Sequence, residues 1–199
     1  MATTTPNYGW NVPTSADYVA QGAVAIQTLG DEIDATVFGL PSGALALVKT
    51  QVIGSAVTSV EVTGAFSATY DNYHILINGG VGSLSSNFNL KLGASATGYY
   101  YGINWVDVGG TSGVIGGSNQ ASWNQVVGGF NVNNINGNFT LQNPFLAKYT
   151  NLNAQFMDST QARSGNGYHG VATSYTDFTV TCAAGNVTGG TIRVYGYQN

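Results

Sequence analysis

Charged residues are scarce in this chain. Only 7% of its 199 residues are Asp, Glu, Lys or Arg, and only 5 residues are basic. Because each contact with a nucleic-acid phosphate needs a Lys or Arg, so few bases exclude a sequence-independent nucleic-acid surface. Intrinsic disorder is excluded as well. It requires low hydrophobicity and high net charge, whereas this chain is 43% hydrophobic with a formal net charge of -4.

Cysteine and histidine are also rare. The single cysteine, Cys182, cannot form an internal disulfide framework, and its position in an alternating apolar run is typical of a small buried side chain. The two histidines, His74 and His169, lie far apart in the sequence and do not form a clustered zinc-ligand set with one cysteine. We therefore expect no metal site and no cofactor.

Catalytic motifs are missing too. The sequence contains no G-x-S-x-G, no H-E-x-x-H and no phosphate-binding loop. No run of about 18 apolar residues predicts a membrane span, and the first residues lack the basic and apolar regions of a signal peptide. The sequence therefore predicts a protein that is not an enzyme and is not inserted in a membrane.

Gly, Ser, Thr and Asn are abundant, together 84 of 199 residues. Beyond residue 44 short segments alternate between apolar and polar residues, and paired glycines separate many of them, as in turns. The alternation predicts strands around residues 60–66, 73–77, 87–92, 99–105, 123–132, 139–149, 178–182 and 192–197. Short strands punctuated in this way indicate a mainly β fold, with an antiparallel, jelly-roll-like β-sandwich over residues 40–199.

Residues 1–39 differ from the rest, and the sequence assigns to them an extended arm and one helix. They carry the whole net charge, with acids and no base, whereas acids and bases cancel in residues 40–199. Tyr8, Trp10 and Pro13 mark the arm, which has no core of its own. We expect the arm to dock on a partner or on the rest of the chain.

A helix is predicted over residues 15–37, with Ser15 as its N-cap. Apolar or small residues recur in it at spacings of three and four, which is the pattern of a helix seam. The predicted seam consists of Val19, Ile26, Leu29 and Ile33. Two interpretations stay open: an amphipathic helix that packs on its own body, or a short parallel bundle of identical helices around a symmetry axis.

Aromatic side chains provide the candidate binding surface. Several Tyr and Trp residues lie among Asn, Gly and Ser, and aromatic rings beside amides and hydroxyls suit neutral sugars or protein partners. The candidate ligand-facing aromatics are Tyr100, Trp105, Trp123 and Tyr168. In the alternative interpretation, Tyr99, Tyr101 and Trp105 point into the core and leave only Tyr100 outside.

Several stretches of the chain resemble a known family. They are residues 5–10 (TPNYGW), 13–19 (PTSADYV), 22–29 (GAVAIQTL), 31–34 (DEID), 66–77 (FSATYDNYHILI) and 189–197 (GGTIRVYGY). They are similar to the N-terminal segment, the opening strand pair and the C-terminal strand of small structural proteins of tailed bacteriophages. The resemblance implies a virion protein made in the host cytoplasm. Such a protein would be a homotrimeric fibre, tail-appendage or head-attached subunit with a jelly-roll-like head.

Residues and resemblance together predict a fibre or tail-appendage subunit. Residues 1–39 would hold copies of the subunit together and attach them to other virion proteins. The β-sandwich would be displayed to bind host-surface glycan or receptor. One alternative is a capsid decoration or head-fibre protein with a mechanical or adhesive role. Another is a free lectin-like carbohydrate-binding module.

Overall fold

The structure is a computed structural model that describes residues 3–14, 18–39, 44–158 and 160–198. It consists of two compact units, residues 1–42 and residues 43–199. The boundary expected from the sequence, between residues 39 and 40, lies shortly before this division. Within the described ranges, the first unit contains a hairpin and a helix, and the second unit contains strands and loops.

The N-terminal unit begins with two short strands, β1 (Thr3–Thr4) and β2 (Asn11–Val12), which pair antiparallel. The helix α1 (Val19–Gly39) follows. The predicted N-cap, Ser15, lies outside the described residues. No helix in the described part of the chain is long and apolar enough to cross a membrane.

The hairpin of the arm docks on the helix of its own chain. The indole N–H of Trp10 donates to Oγ1 of Thr36 at 2.9 Å, and the ring of Tyr8 stacks on Trp10 with centroids 5.0 Å apart. Asn11 donates its backbone N–H and its side-chain amide to the carboxylate of Glu32, at 2.6 and 2.7 Å. Glu32 is unfavourably placed for the helix dipole. Its contact with the arm explains an acid at that position.

Two stripes run along α1 at the same spacing of three and four residues. The half-buried stripe, on the side of the hairpin, consists of Gly22, Ala25, Leu29, Glu32 and Thr36. A second stripe is exposed, and we call it the open stripe; it consists of Ala23, Ile26, Gly30, Ile33 and Val37. The structure therefore divides the predicted seam. Leu29 lies on the hairpin side and Ile26 and Ile33 on the open side, while the side chain of Val19 lies outside the described part.

The second unit is a sandwich whose first layer has antiparallel strands throughout. In spatial order they are β3 (Leu45–Val52), β14 (Val187–Tyr197), β5 (Asn72–Gly82), β10 (Ile135–Gln142), β11 (Thr150–Met157), β12 (Gln161–His169), β7 (Tyr99–Asp107) and β8 (Ser112–Gln120). The second layer consists of β4 (Ser59–Val62), β13 (Phe178–Cys182) and β6 (Ser86–Leu92). The short strand β9 (Gly128–Phe130) pairs with both β6 and β10 and joins the layers. The predicted mainly β fold, an antiparallel β-sandwich preceded by one helix, is confirmed.

The core lies between the two layers. Its largest fully buried side chains are Trp123, Tyr73, Tyr99, Phe88, Phe130, Phe139 and Phe178. Phe139 on β10 and Phe178 on β13 meet across the layers, with ring centroids 6.5 Å apart. Because successive side chains of a strand point to opposite faces, alternate residues of the first layer point away from this core. We call that side of the first layer the outer face.

Alternation in the sequence predicts some strands and misplaces others. The runs at residues 73–77, 87–92, 99–105 and 192–197 lie in β5, β6, β7 and β14, as expected. In the run at residues 123–132 only Gly128–Phe130 is a strand. Trp123 lies in the loop before this strand, and its side chain is buried. The run at residues 139–149 stops at Gln142, ahead of Pro144. The apolar residues in these last two runs therefore indicate buried side chains, and they do not show that the whole segment pairs as a strand.

Candidate functional site

The outer face of β10, β11, β12 and β7 carries uncharged side chains. Taken strand by strand, its outward residues are Asn136, Asn138, Thr140, Gln142; Asn151, Asn153, Gln155, Met157; Ala162, Ser164, Asn166, Tyr168; Tyr100, Gly102, Asn104 and Val106. None of these side chains is an acid or a base, and most carry an amide or a hydroxyl. The face can therefore donate and accept hydrogen bonds without attracting ions.

Three tyrosines stack at one end of this face, and we call them the tyrosine stack. Tyr168 on β12 stacks on Tyr100 of the neighbouring strand β7, with ring centroids 4.7 Å apart and planes inclined by 8°. Tyr149, which precedes β11, stacks on Tyr168 from the other side at 6.0 Å and 17°. Tyr149 and Tyr168 are exposed and Tyr100 is half-buried, so the stack is accessible to a ligand.

Three asparagines lie beside the tyrosine stack, and we call them the amide cluster: Asn151, Asn153 and Asn166. Asn153 of β11 lies opposite Asn166 of β12 and donates its side-chain N–H to Oδ1 of Asn166 at 2.6 Å. Asn151 lies opposite Tyr168 in the same ladder. Two adjoining depressions, of about 510 and 350 Å³, share Asn151 and Asn166 in their walls. The second also contains Tyr100, Tyr168 and the side-chain-free Gly102.

Glycines on the inward side of β12 fix the position of the tyrosine stack. A Cβ at Gly167 would lie 2.6 Å from the carbonyl oxygen of Tyr100 and 2.8 Å from Nε1 of Trp123. A Cβ at Gly165 would lie 2.7 Å from a methyl of Val126. Both positions therefore require glycine. The indole N–H of Trp123 donates to that same Tyr100 carbonyl at 3.3 Å, so core packing holds the strand that carries Tyr100.

Two of the four candidate ligand-facing aromatics lie in this site. Tyr100 and Tyr168 are in direct contact, although they are far apart in the sequence. The expectation that Trp123 faces a ligand is wrong, because its side chain is fully buried. Trp105 is half-buried and lies outside the tyrosine stack, so its contact with a ligand stays a prediction. Trp105 points to the opposite face of β7 from Tyr100 and packs over Gly113, whose Cβ position is 2.6 Å from its ring.

The sequence interpretation missed Tyr149 and the amide cluster. Residues 150–157 (TNLNAQFM) do alternate, with Leu152 and Phe156 buried and the amide side chains outside. This alternation of apolar and polar residues could have predicted β11. Strand β12 had no such signal. Its inward positions are Arg163, Gly165, Gly167 and His169, which do not form an apolar series.

The contact between the buried His169 and the half-buried Ser95 is structural. Nε2 of His169 lies 2.8 Å from Oγ of Ser95, and Nδ1 accepts the backbone N–H of Val171 at 3.2 Å. Because Nδ1 accepts a hydrogen bond, the neutral ring carries its proton on Nε2. The Nε2–H group therefore donates a hydrogen bond to Oγ of Ser95. A serine nucleophile needs the reverse arrangement, in which the histidine accepts the hydroxyl proton. Burial also lowers the pKa of His169 below its usual 6.5, which favours the neutral ring.

The acids and the single thiol, Cys182, are dispersed over the rest of the unit. Among the residues that the structure describes, no three His, Cys, Asp or Glu side chains come together as a metal site. Asp158 pairs with Arg163, with Oδ2 and Nε 3.1 Å apart, and both Asp107 and Asp177 accept backbone N–H groups. Burial raises the pKa of the Cys182 thiol to about 11, so the thiol stays protonated at neutral pH.

Comparison of the chain with protein-family models, with curated proteins and with solved structures finds no match in any of the three.

Proposed function

We propose that this chain is a structural subunit of a bacteriophage particle, a fibre or tail appendage, whose β-sandwich displays a binding face for uncharged glycan of the host surface. The observation that carries the proposal is the tyrosine stack beside the amide cluster, where the outward side chains of β10, β11, β12 and β7 carry no charge. The sequence resemblance to phage structural proteins supports the particle, and the face supports the ligand class.

The chemistry of the face suits a sugar. Amide side chains such as Asn153 and Asn166 offer both a donor and an acceptor, which match the vicinal hydroxyls of a pyranose. The rings of Tyr100 and Tyr168 offer apolar contact for the C–H side of a sugar and a phenol at the wet edge. An anionic ligand would find no cation among the outward side chains of β10, β11, β12 and β7, so the ligand is neutral.

The N-terminal unit supplies the attachment. The open stripe of α1 exposes Ile26, Ile33 and Val37 at a spacing that suits another helix, and copies of the same chain are the partner we infer. A homotrimer is the expected state. Tyr8 is 60% exposed and Pro13 is exposed on the arm, which leaves this end available to another virion protein.

Deletion of residues 1–39 tests the attachment. The β-sandwich is a separate compact unit, so the truncated protein should fold and yet be absent from purified particles. Incorporation of the truncated protein into particles would contradict the proposal. Particles that carry Tyr168→Ala should adsorb more slowly to host cells than wild type. Unchanged adsorption would favour the mechanical role of a capsid decoration protein instead.

A further inference from the structure

A third depression lies on the outer face, beyond the amide cluster. It has a volume of about 550 Å³ and crosses β12 between β11 and β7. Its outward side chains are Gln155 and Met157 of β11, Ala162 and Ser164 of β12, and Asn104 and Val106 of β7. The proposed glycan contacts at the tyrosine stack use none of these side chains.

This depression and the two beside the tyrosine stack lie in a row along β12, and we call this row the groove. Its floor consists of the short side chains Ala162 and Ser164, while longer side chains of β11 rise beside it. Asn166 and Tyr168 follow on the same face of the same strand. At about 3.3 Å per residue, the six steps between Ala162 and Tyr168 span about 20 Å. A ligand that fills the groove must therefore be a chain of several sugar units rather than a monosaccharide.

The two ends of the groove differ chemically. The tyrosine end has three stacked rings, whereas the outward side chains of the far end combine three apolar groups, Met157, Ala162 and Val106, with two amides, Gln155 and Asn104. The inward residues Trp105, Phe156 and Arg163 also line the far end, and Arg163 is ion-paired with Asp158. Met157 is 45% exposed and Val106 is 43% exposed, so this apolar surface is open to solvent. An apolar surface rimmed by amides matches a methyl group attached to an amide, which is the acetamido group of an N-acetylated sugar.

We infer that the groove along β12 binds a linear, uncharged oligosaccharide with an N-acetylated residue seated over Ala162. The acetyl methyl contacts Met157 and Val106, and the amide of the same substituent pairs with Gln155 or Asn104. This inference rests on the proposed function, since it takes the tyrosine stack and the amide cluster as contacts for the rest of the sugar chain. The uncharged outward side chains of β11, β12 and β7 along the whole row of depressions select the occupant.

Two matched oligosaccharides test the inference by isothermal titration calorimetry on the full chain. One probe is the β1,4-linked tetramer of N-acetylglucosamine, and the other is the β1,4-linked tetramer of glucose. The two differ only in the substituent at carbon 2. Burial of one methyl group predicts that the acetylated tetramer binds about fourfold more tightly or better. Ala162→Gln fills the depression with a larger, uncharged side chain at an exposed strand position.

Ala162→Gln should abolish the preference for the acetylated tetramer, so that the two tetramers bind the variant with equal affinity. Binding of the glucose tetramer also reports that the variant is folded. Ala68→Gln, at an exposed loop position, is the matched control and should change neither affinity. Equal affinity of wild type for both tetramers overturns this inference and leaves the proposed function standing. Failure of both tetramers to bind contradicts the inference and the proposed function together.

Discussion

The ring of Tyr168 lies parallel to that of Tyr100, with centroids 4.7 Å apart and planes inclined by 8°. The two residues are direct cross-strand neighbours in the β12–β7 ladder. Cross-strand aromatic pairs stabilise a sheet, and here Tyr149 extends the pair to a stack of three. A stack held in this way is already ordered before a ligand arrives, so binding immobilises little side-chain freedom.

Removal of the central ring should weaken sugar binding. We expect Tyr168→Ala to reduce the affinity for a neutral oligosaccharide by about tenfold, because one aromatic contact contributes about 1.5 kcal/mol. Tyr195→Ala is the matched control, since Tyr195 lies on β14 of the same layer, several strands from the stack. Calorimetry would measure both affinities. An equal loss in both variants would contradict a binding role for the stack.

Salt should leave sugar binding unchanged. The outward side chains of the four site strands carry no charge, so there is no ion pair for salt to screen. We expect the dissociation constant to agree within twofold between about 50 mM and about 500 mM NaCl. A steep decrease of affinity with salt would mean that charged groups outside this face bind the ligand.

Charge on the open stripe should dissociate the oligomer. The double variant Ile26→Asp, Ile33→Asp places two carboxylates on the exposed apolar positions, and burying them between helices is costly. Light scattering should then give the mass of a single 20.6 kDa chain, whereas wild type should give a multiple of it. Thr28→Asp, at an exposed position on the opposite side of α1, should keep the oligomer intact. A wild-type protein that is already monomeric would contradict the bundle.

Stability should fall in mild acid because of His169. Burial lowers its pKa in the folded protein below 6.5, so its full stabilising effect is present above pH 6.5. Below that pH the unfolded chain binds the proton first, and stability decreases as the pH falls toward the folded-state pKa. We expect the urea midpoint to be lower at about pH 5.5 than at about pH 7.5, and the difference to shrink in His169→Gln.

His74 contributes to the same pH range. Burial lowers its pKa as well, although its side chain is only half-buried, near Oγ1 of Thr140. The double variant His74→Gln, His169→Gln should therefore show a smaller pH difference than either single variant. An undiminished difference in the double variant would contradict the assignment of this pH dependence to His74 and His169.

The fold class was predictable from the sequence because several strands bury one face completely. In β5, Tyr73, Ile75 and Ile77 are buried and alternate with His74 and Leu76, so period two is visible. Strand β12 has glycines where a core residue would be expected, since Trp123 and Val126 already fill the space beneath Gly167 and Gly165. The packing of another segment removed the pattern that would have identified this strand.

The candidate site was predictable only in part. Alternation placed Tyr100 outside and Tyr99 inside, but no local pattern shows that Tyr168 and Tyr149 stack with Tyr100. That contact depends on the pairing of β11, β12 and β7, which joins residues far apart in the chain. For the same reason Trp123 was misassigned. Its neighbours in sequence are polar, whereas its neighbours in space are core residues such as Tyr99.

The central claim is that the amide cluster and the tyrosine stack together bind an uncharged sugar chain. Nuclear magnetic resonance of the ¹⁵N-labelled full chain tests it most directly, because each asparagine side chain gives its own pair of amide signals. On titration with the N-acetylglucosamine tetramer or the glucose tetramer, we predict shifts of the side-chain signals of Asn151, Asn153 and Asn166. The signals of Asn131 and Asn186, in loops away from these strands, should stay in place. Unmoved signals of the amide cluster, or shifts confined to other asparagines, would contradict the account.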